Sequence, residues 1–320
     1  MAAKLQIHLT PDGLENWQTA GRFELYRLIL SEVKQRGGTV EVTIIPKGAT
    51  SGGAMAADGD LHIVHGGHCS GPGWLSASLA YLPRFWHLNG SGILAESPGK
   101  DSTYAPREID RVAAHEFSRN LRREFAKQRK SRYLQKKEVT AFSTGYIAVV
   151  LQGPYPYRKK QSFCSMAEMV KTVVEGAEGR RVVVKPHPVE KEFGLFCTAV
   201  LKAEGLEFEI TDANIHDLVG SADVIVSVNS SATFEGFMHK KPSILFGRSD
   251  FSTLVETVRH PSEFPEALNR ATTTGWNFDL MLAWYFKNFT IDLRTDSVLD
   301  ALVQAAATTG FSVRTLGILG

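Results

Sequence analysis

A histidine clamped between two prolines closes one of the apolar runs of this chain. "VVVKPHPVEKEF" (182–193) passes from valines straight into Lys185, Pro186, His187 and Pro188. Proline fixes φ and biases the residue before it toward extended backbone, so His187 is presented rigidly. Together Lys185 and His187 offer a cation and an imidazole to an anion with little further ordering cost. The plainer reading is a strand end capped by prolines, with His187 half-buried. Forty residues on, in "ADVIVSVNSSATFEGFMHKKPSILFG", a buried run ends at Val228, Asn229 starts the turn and a helix opens on Ser230 and Ser231. The free N–H groups and dipole of a helix start attract anions, and two hydroxyls would reinforce them. Glu235, one turn beyond Ser231, is placed to accept hydrogen bonds from a ribose or to cap local backbone. Ordinary N-capping explains one serine. Two serines beside Asn229, at the end of a sheet strand, point toward a ligand.

Three further stretches carry chemistry. "HGGHCSGPG" sets His65 and His68 at i, i+3 in a glycine-rich loop. A metal site needs a third ligand, and none stands at a recognisable spacing, so no metal is expected and acid–base work by His65 is the remaining option. Glu96, in "GILAESPGK", is expected at a strand end, where a carboxylate facing a cleft would activate an acceptor hydroxyl; many such acids are only solvated. The loop after Gln152, "GPYPYRKKQSF", offers Arg158, Lys159 and Lys160 but no carboxylate before Glu168. The basic turn suits an anion or is simply solvated.

The elements that must position these residues alternate regularly. In the first half, strands are expected at 4–10, 39–45, 61–66 and, more weakly, 92–96, with helices at 16–37 and 107–129. In the second half, strands at 146–152, 180–186, 208–211, 223–228 and 243–247 alternate with helices at 164–177, 190–204, around 214–222 and at 230–240. Apolar strands alternating with helices mean a parallel sheet covered on both faces. The pattern predicts an α/β protein of two Rossmann-like parallel-sheet domains facing across a cleft, 1–140 and 141–320, the last helices packing back on the first. The boundary is expected near Glu138–Gly145. Ligands of such sheets lie outside the carboxyl ends of the strands, so the loops after Gln152, Lys185, Val228 and Gly247 should converge.

Bulk properties narrow the class. The 320 residues are 43% hydrophobic and 22% charged, an ordinary soluble composition. A net charge of +2 is too small to argue for nucleic acid, and no binding motif accompanies the basic stretch 119–137, where nine basic residues face one acid. That stretch reads as a helix with a solvated face, or as a patch for anionic lipid headgroups. Three cysteines without a CxxC pair fit a reducing cytoplasm rather than a disulfide framework. No signal-peptide core and no run of about 18 apolar residues occurs. "DLMLAWYFKNFTIDL" (279–293) reads as an amphipathic helix.

"KPHP", followed by a strand and "NSSATFEGFMHKKPSILFG", resembles the capsule polysaccharide biosynthesis family of GT-B glycosyltransferases, over residues 146–258. That family includes transferases of Kdo (3-deoxy-manno-octulosonic acid) that use CMP-Kdo. The resemblance implies a GT-B-like fold and a nucleotide phosphate held by His187, Pro188, Ser230 and Ser231, with Lys185, Asn229 and Glu235 as accessory contacts. It implies no cofactor besides the CMP-sugar donor, a saccharide or glycolipid acceptor over the N-terminal half with Glu96 or His65 as base, and a cytoplasmic enzyme peripheral to the inner membrane. CDP-glycerol glycerophosphotransferases share the lysine–HP and serine-rich pattern and supply an alternative. In the Kdo transferases an aspartate tends to follow the glutamine of the first nucleotide-domain loop. Here none follows Gln152; if that aspartate is the family's nucleophile, this leaves a different mechanism, a nucleophile from elsewhere, or a binding-only partner subunit.

Overall fold

β-branched and aliphatic runs too short for helices make the strands of two sheets in the computed structural model, which describes residues 3–10, 23–46 and 51–318. In chain order the strands are β1 (Leu5–Leu9), β2 (Val40–Ile44), β3 (Ser51–Ala54), β4 (Leu61–His65), β5 (His68–Ser70), β6 (Trp74–Leu79), β7 (Phe85–Asn89), β8 (Tyr146–Val150), β9 (Arg181–Lys185), β10 (Glu209–Ile210), β11 (Val224–Ser227), β12 (Ser243–Leu245), β13 (Glu256–Thr257) and β14 (Ile291–Asp292). They form one sheet of order β14-β7-β6-β4-β1-β2, a second of order β10-β9-β8-β11-β12-β13, and a small β3-β5 pair. The second sheet is parallel throughout; the first is parallel except where β7 runs against β6 and β14. Both are Rossmann-like α/β sheets.

Burial on both faces explains why the central strands of the second sheet, β8, β9, β11 and β12, are mostly apolar. Ile147 and Val149 of β8 face a core shared with helices Met166–Glu175 and Phe264–Thr273, while Tyr146, Ala148 and Val150 face the other layer with helix Ile215–Ser221. In the first sheet, Leu5, Ile7 and Leu9 of β1 pack against helices Glu24–Gln35 and Val298–Thr308. The opposite face carries His8, His62 and Trp74 in a stack, with the His62 and Trp74 ring centroids 3.8 Å apart.

Several expectations need correction. The two compact units are 1–101 with 285–320, and 102–284, so the break falls near Asp101 rather than at 138–145. The stretch 102–140 joins the second unit because Arg122 donates to the Met238 carbonyl at 2.9 Å and Arg129 grips Asp217 with two bonds of 2.8 and 2.6 Å. Residues 92–96 make no strand: Gly92 and Leu94 have φ of 141° and 51°, and Leu94–Glu96 is a 3-10 turn. β6 and β7 were not anticipated, and β5 lies inside the supposed glycine-rich loop. The basic stretch is helical only to Ala126, as a helix over Arg111–Leu121 and a π-turn over Arg122–Ala126. Helix Phe278–Phe289 is not amphipathic, because Leu280 through Phe286 are all buried. The expected helix start at 16–22 lies outside the described residues.

Candidate functional site

The carboxyl ends of β9, β8 and β11 lie side by side in the second unit. Their outer members are two inter-strand spacings apart, about 10 Å. The loops that follow carry His187, Gln152 and Asn229–Ser231.

His187 is fixed by its own turn. The N–H groups of Val189 and Glu190 donate to its Nδ1 at 3.3 and 3.0 Å. A ring nitrogen that accepts two hydrogen bonds bears no proton, so the neutral ring carries its hydrogen on Nε2. Burial pushes the imidazole's pKa below 6.5, and nearby Arg132 and Lys185 push the same way against Glu190. His187 is therefore a rigid, neutral N–H donor.

The two serines divide their roles. Ser230 Oγ accepts from the Ala232 N–H at 3.2 Å and is the ordinary cap of helix Ala232–Met238. Ser231, at the N-cap position, makes no side-chain capping bond, which leaves its hydroxyl for other partners. Asn229 ties the floor together. It exchanges two bonds of 2.9 Å with Gln152, and its Nδ2 donates to Gln161 Oε1 at 3.1 Å and to the Arg248 carbonyl at 2.9 Å. With all its side-chain groups engaged, Asn229 braces the loops and has no group left for a ligand.

Lys185 and Glu235 are also structural. Lys185 is 4% exposed and donates to the Ala213 carbonyl at 2.7 Å. Glu235 is 2% exposed; burial raises its pKa, while His216, a hydrogen bond with Ser131 and Lys185 hold it down. Both side chains are buried inside the unit, and Lys185 spends a hydrogen bond on a backbone carbonyl, which does not suit direct contact with phosphate or ribose. Pro188 is half-buried and serves to stiffen the His187 turn.

A carboxylate from another segment lies beside the loop after β8. Gly153 follows Gln152 directly, and a Cβ placed on it would collide with the Glu190 carboxylate. The absence of a side chain there gives room for Glu190, an exposed residue three positions after His187, to lie against the end of β8. Sequence reasoning missed it because Glu190 reads as one more charge at a helix start; the glycine after Gln152 was the only local signal. Tyr133 was missed too: its ring meets the His187 imidazole edge-on, centroids 4.7 Å apart at 77°.

The expected catalytic groups of the first unit do not gather in this way. Glu96 pairs with Lys100 at 3.0 Å, on a turn packed against Gly92. That turn follows β7, which is antiparallel, so it leaves the sheet beside Trp74 at the start of β6, the edge opposite the strand ends that hold ligands. The argument for Glu96 rested on a strand that is absent. His65 ends β4, where its Nδ1 stands 2.8 Å from the Tyr26 hydroxyl and its ring packs on Phe23 and Tyr26. Among the described residues no group of three or more His, Cys, Asp or Glu side chains is placed to hold a metal, and no helix is long and apolar enough to cross a membrane.

Two solved structures share this fold at 14% identity, both from Thermosulfurimonas dismutans KpsC. The beta Kdo 2,4 transferase has a TM-score of 0.51 and covers 96% of this chain and 98% of its own. The beta Kdo 2,7 transferase has a TM-score of 0.55, covering 96% and 99%. No curated protein matches the chain. The family described as "Capsule polysaccharide biosynthesis protein" matches residues 109–282, more than half of the chain and nearly all of the second unit. The strand-end histidine, the serine turn and the sheet that brings them together are thus the centre of the matched region, and the chain belongs to the capsule polysaccharide biosynthesis protein family.

Proposed function

We propose that this protein is a glycosyltransferase that moves a sugar acid, Kdo, from a CMP-activated donor to a saccharide or glycolipid acceptor in surface polysaccharide assembly, at the cytoplasmic face of the membrane. The observation that carries the reading is the placement of the His187 Nε2–H and the uncommitted Ser231 hydroxyl at the carboxyl ends of β9 and β11, on either side of β8. Both suit the phosphate of CMP, whose charge grows as the bond to the sugar's anomeric carbon breaks. As the acceptor oxygen bonds to that carbon, its proton goes to a carboxylate, for which Glu190 is the best-placed group in the second unit. The family and the shared fold with Kdo transferases support the sugar assigned, and the CMP donor rests on the resemblance carried by the lysine–HP and serine-rich segments. The basic stretch 119–137 is a weaker membrane candidate than its composition implies, because Arg122, Arg129 and Lys136 are engaged by Asp279, Asp217 and Asp212.

A thermal-shift panel of CMP, CDP, UDP and GDP tests the donor. CMP at about 100 times its dissociation constant should add about 2.7 kcal/mol of stability. His187→Ala is expected to abolish that response while leaving the nucleotide-free melting temperature within a few degrees. A response to CDP alone would favour the glycerophosphotransferase reading, and no nucleotide response would reject the site. CMP binding without turnover on any acceptor would identify a binding-only subunit.

A further inference from the structure

Residues 129–140 leave the π-turn as irregular chain, yet they are held at many points. Besides the grip of Arg129 on Asp217, Arg129 donates to the carbonyls of Lys137 at 2.6 Å and Glu138 at 2.9 Å. Asn214 Nδ2 donates to the carbonyls of Arg129 and Lys136, both at 3.2 Å, and the Ile215 N–H donates to Gln135 Oε1 at 3.2 Å. His216 Nε2 donates to the Lys130 carbonyl at 2.7 Å. Asn214 and His216 open the helix that follows β10, so these bonds pin the strap across the carboxyl side of the sheet. An irregular segment with this many fixed points is a rigid part of the fold.

The strap delivers Tyr133 to His187, with the Arg132 guanidinium over the tyrosine ring at 5.8 Å from its centroid. Backbone N–H groups fix Nδ1 but leave rotation about the Nδ1 axis and hydration of the ring's face open. Tyr133 closes both. We infer that Tyr133 is a positioning residue, whose ring holds the His187 imidazole so that Nε2–H alone is offered to the ligand. This deepens the phosphate-binding role given to His187 above and rests on that reading for its effect on turnover. The charged groups around the ring are Glu190 on its own turn, Lys185 on β9 and Arg132 on the strap.

The test uses the full chain with ¹⁵N-labelled histidine, reading ring tautomer and titration midpoint by long-range proton–nitrogen spectra, with His187→Gln to assign the signals. The wild type should show a neutral Nε2–H ring with a midpoint below 6.5. Tyr133→Ala should rehydrate the ring, move the midpoint toward 6.5 and make the Nδ1–H tautomer visible; Tyr133→Phe should keep both as in the wild type. With a CMP-activated sugar acid, Tyr133→Ala should lower kcat/KM by about 10-fold with a displaced pH profile, and Tyr133→Phe by less than about 2-fold. An unchanged His187 titration and tautomer in Tyr133→Ala would overturn the inference, as would equal changes in Tyr133→Phe. Absence of turnover in the wild type would reject the glycosyltransferase reading, while the ring spectra would still decide the role of Tyr133.

Discussion

Glu190→Gln is expected to lower turnover of a CMP-activated sugar acid by about 10²- to 10⁴-fold while leaving the CMP-induced thermal shift in place, as loss of a general base should. The substitution is nearly isosteric. It keeps the packing on Gly153 and the N–H bond to His187 Nδ1, so the donor site should survive and the lesion fall on the chemical step. Glu96→Gln is the matched control. Its carboxylate meets Lys100 on the wrong edge of the first sheet, and turnover should stay within about 2-fold of wild type. Gly153→Ala should mimic Glu190→Gln in part, because the added methyl group must displace the carboxylate. A Glu190→Gln enzyme with full turnover would remove Glu190 from the mechanism. Loss in Glu96→Gln would reinstate the sequence expectation.

The second large effect is acid lability between pH 6.5 and 4. In the first unit Thr43, His8, His62 and Asp58 form one hydrogen-bonded chain, with the two histidines buried and Asp58 at the surface: Thr43 Oγ1 to His8 Nδ1 at 2.7 Å, His8 Nε2 to His62 Nδ1 at 2.9 Å, and His62 Nε2 to Asp58 Oδ1 at 2.9 Å. A carboxylate only accepts, so His62 donates to Asp58, His8 to His62 and Thr43 to His8. The chain is complete with both rings neutral. Burial, then the neighbouring His62, pushes His8 down to about 4. In the second unit burial, His216, Lys241 and Arg122 push His239 to about 4.

A histidine whose folded pKa is depressed contributes stability that is complete above its unfolded value of about 6.5 and is lost as pH falls through about 4. For His8, which is 9% exposed, the loss is roughly 2–3 kcal/mol, a large part of a typical domain's margin. Glu235 works in the opposite sense, since its raised pKa relieves a cost as it takes up a proton. Urea unfolding of wild type and His8→Gln across this range separates the contributions. The variant should be less stable at pH 7 and show a shallower acid loss of the first unit. Parallel curves for the two proteins would exclude the His8 chain as a source of acid lability.

Between residues 146 and 247 the second unit was legible almost element by element, while β13 and helix Phe264–Thr273 beyond it were not read. Its central strands are mostly apolar because both faces are covered, and each is closed by a proline, glycine or polar turn that marks its end. The first unit was read less well, for physical reasons that can be named. β6, "WLSASL", alternates large and small residues with polar serines, and its partner β7 runs antiparallel, so neither resembles the valine-rich strands of a covered parallel sheet. The run "GILAE" has strand composition, but positive φ at Gly92 and Leu94 turns it into a 3-10 segment.

Within the site, residue types and spacing were enough to single out His187 and the serine turn, because proline stiffness and helix capping are local properties of a few consecutive residues. Which serine caps and which stays available, that Asn229 braces Gln152, and that Lys185 and Glu235 lie inside rather than at the surface were settled by tertiary packing. So were Glu190 against Gly153 and Tyr133 on His187. Such pairs join segments that meet only once strand order and direction are set, here β9-β8-β11 side by side with the strap of residues 129–140 across their ends. Local sequence specifies the end of each strand; the order of strands in the sheet specifies which ends become neighbours.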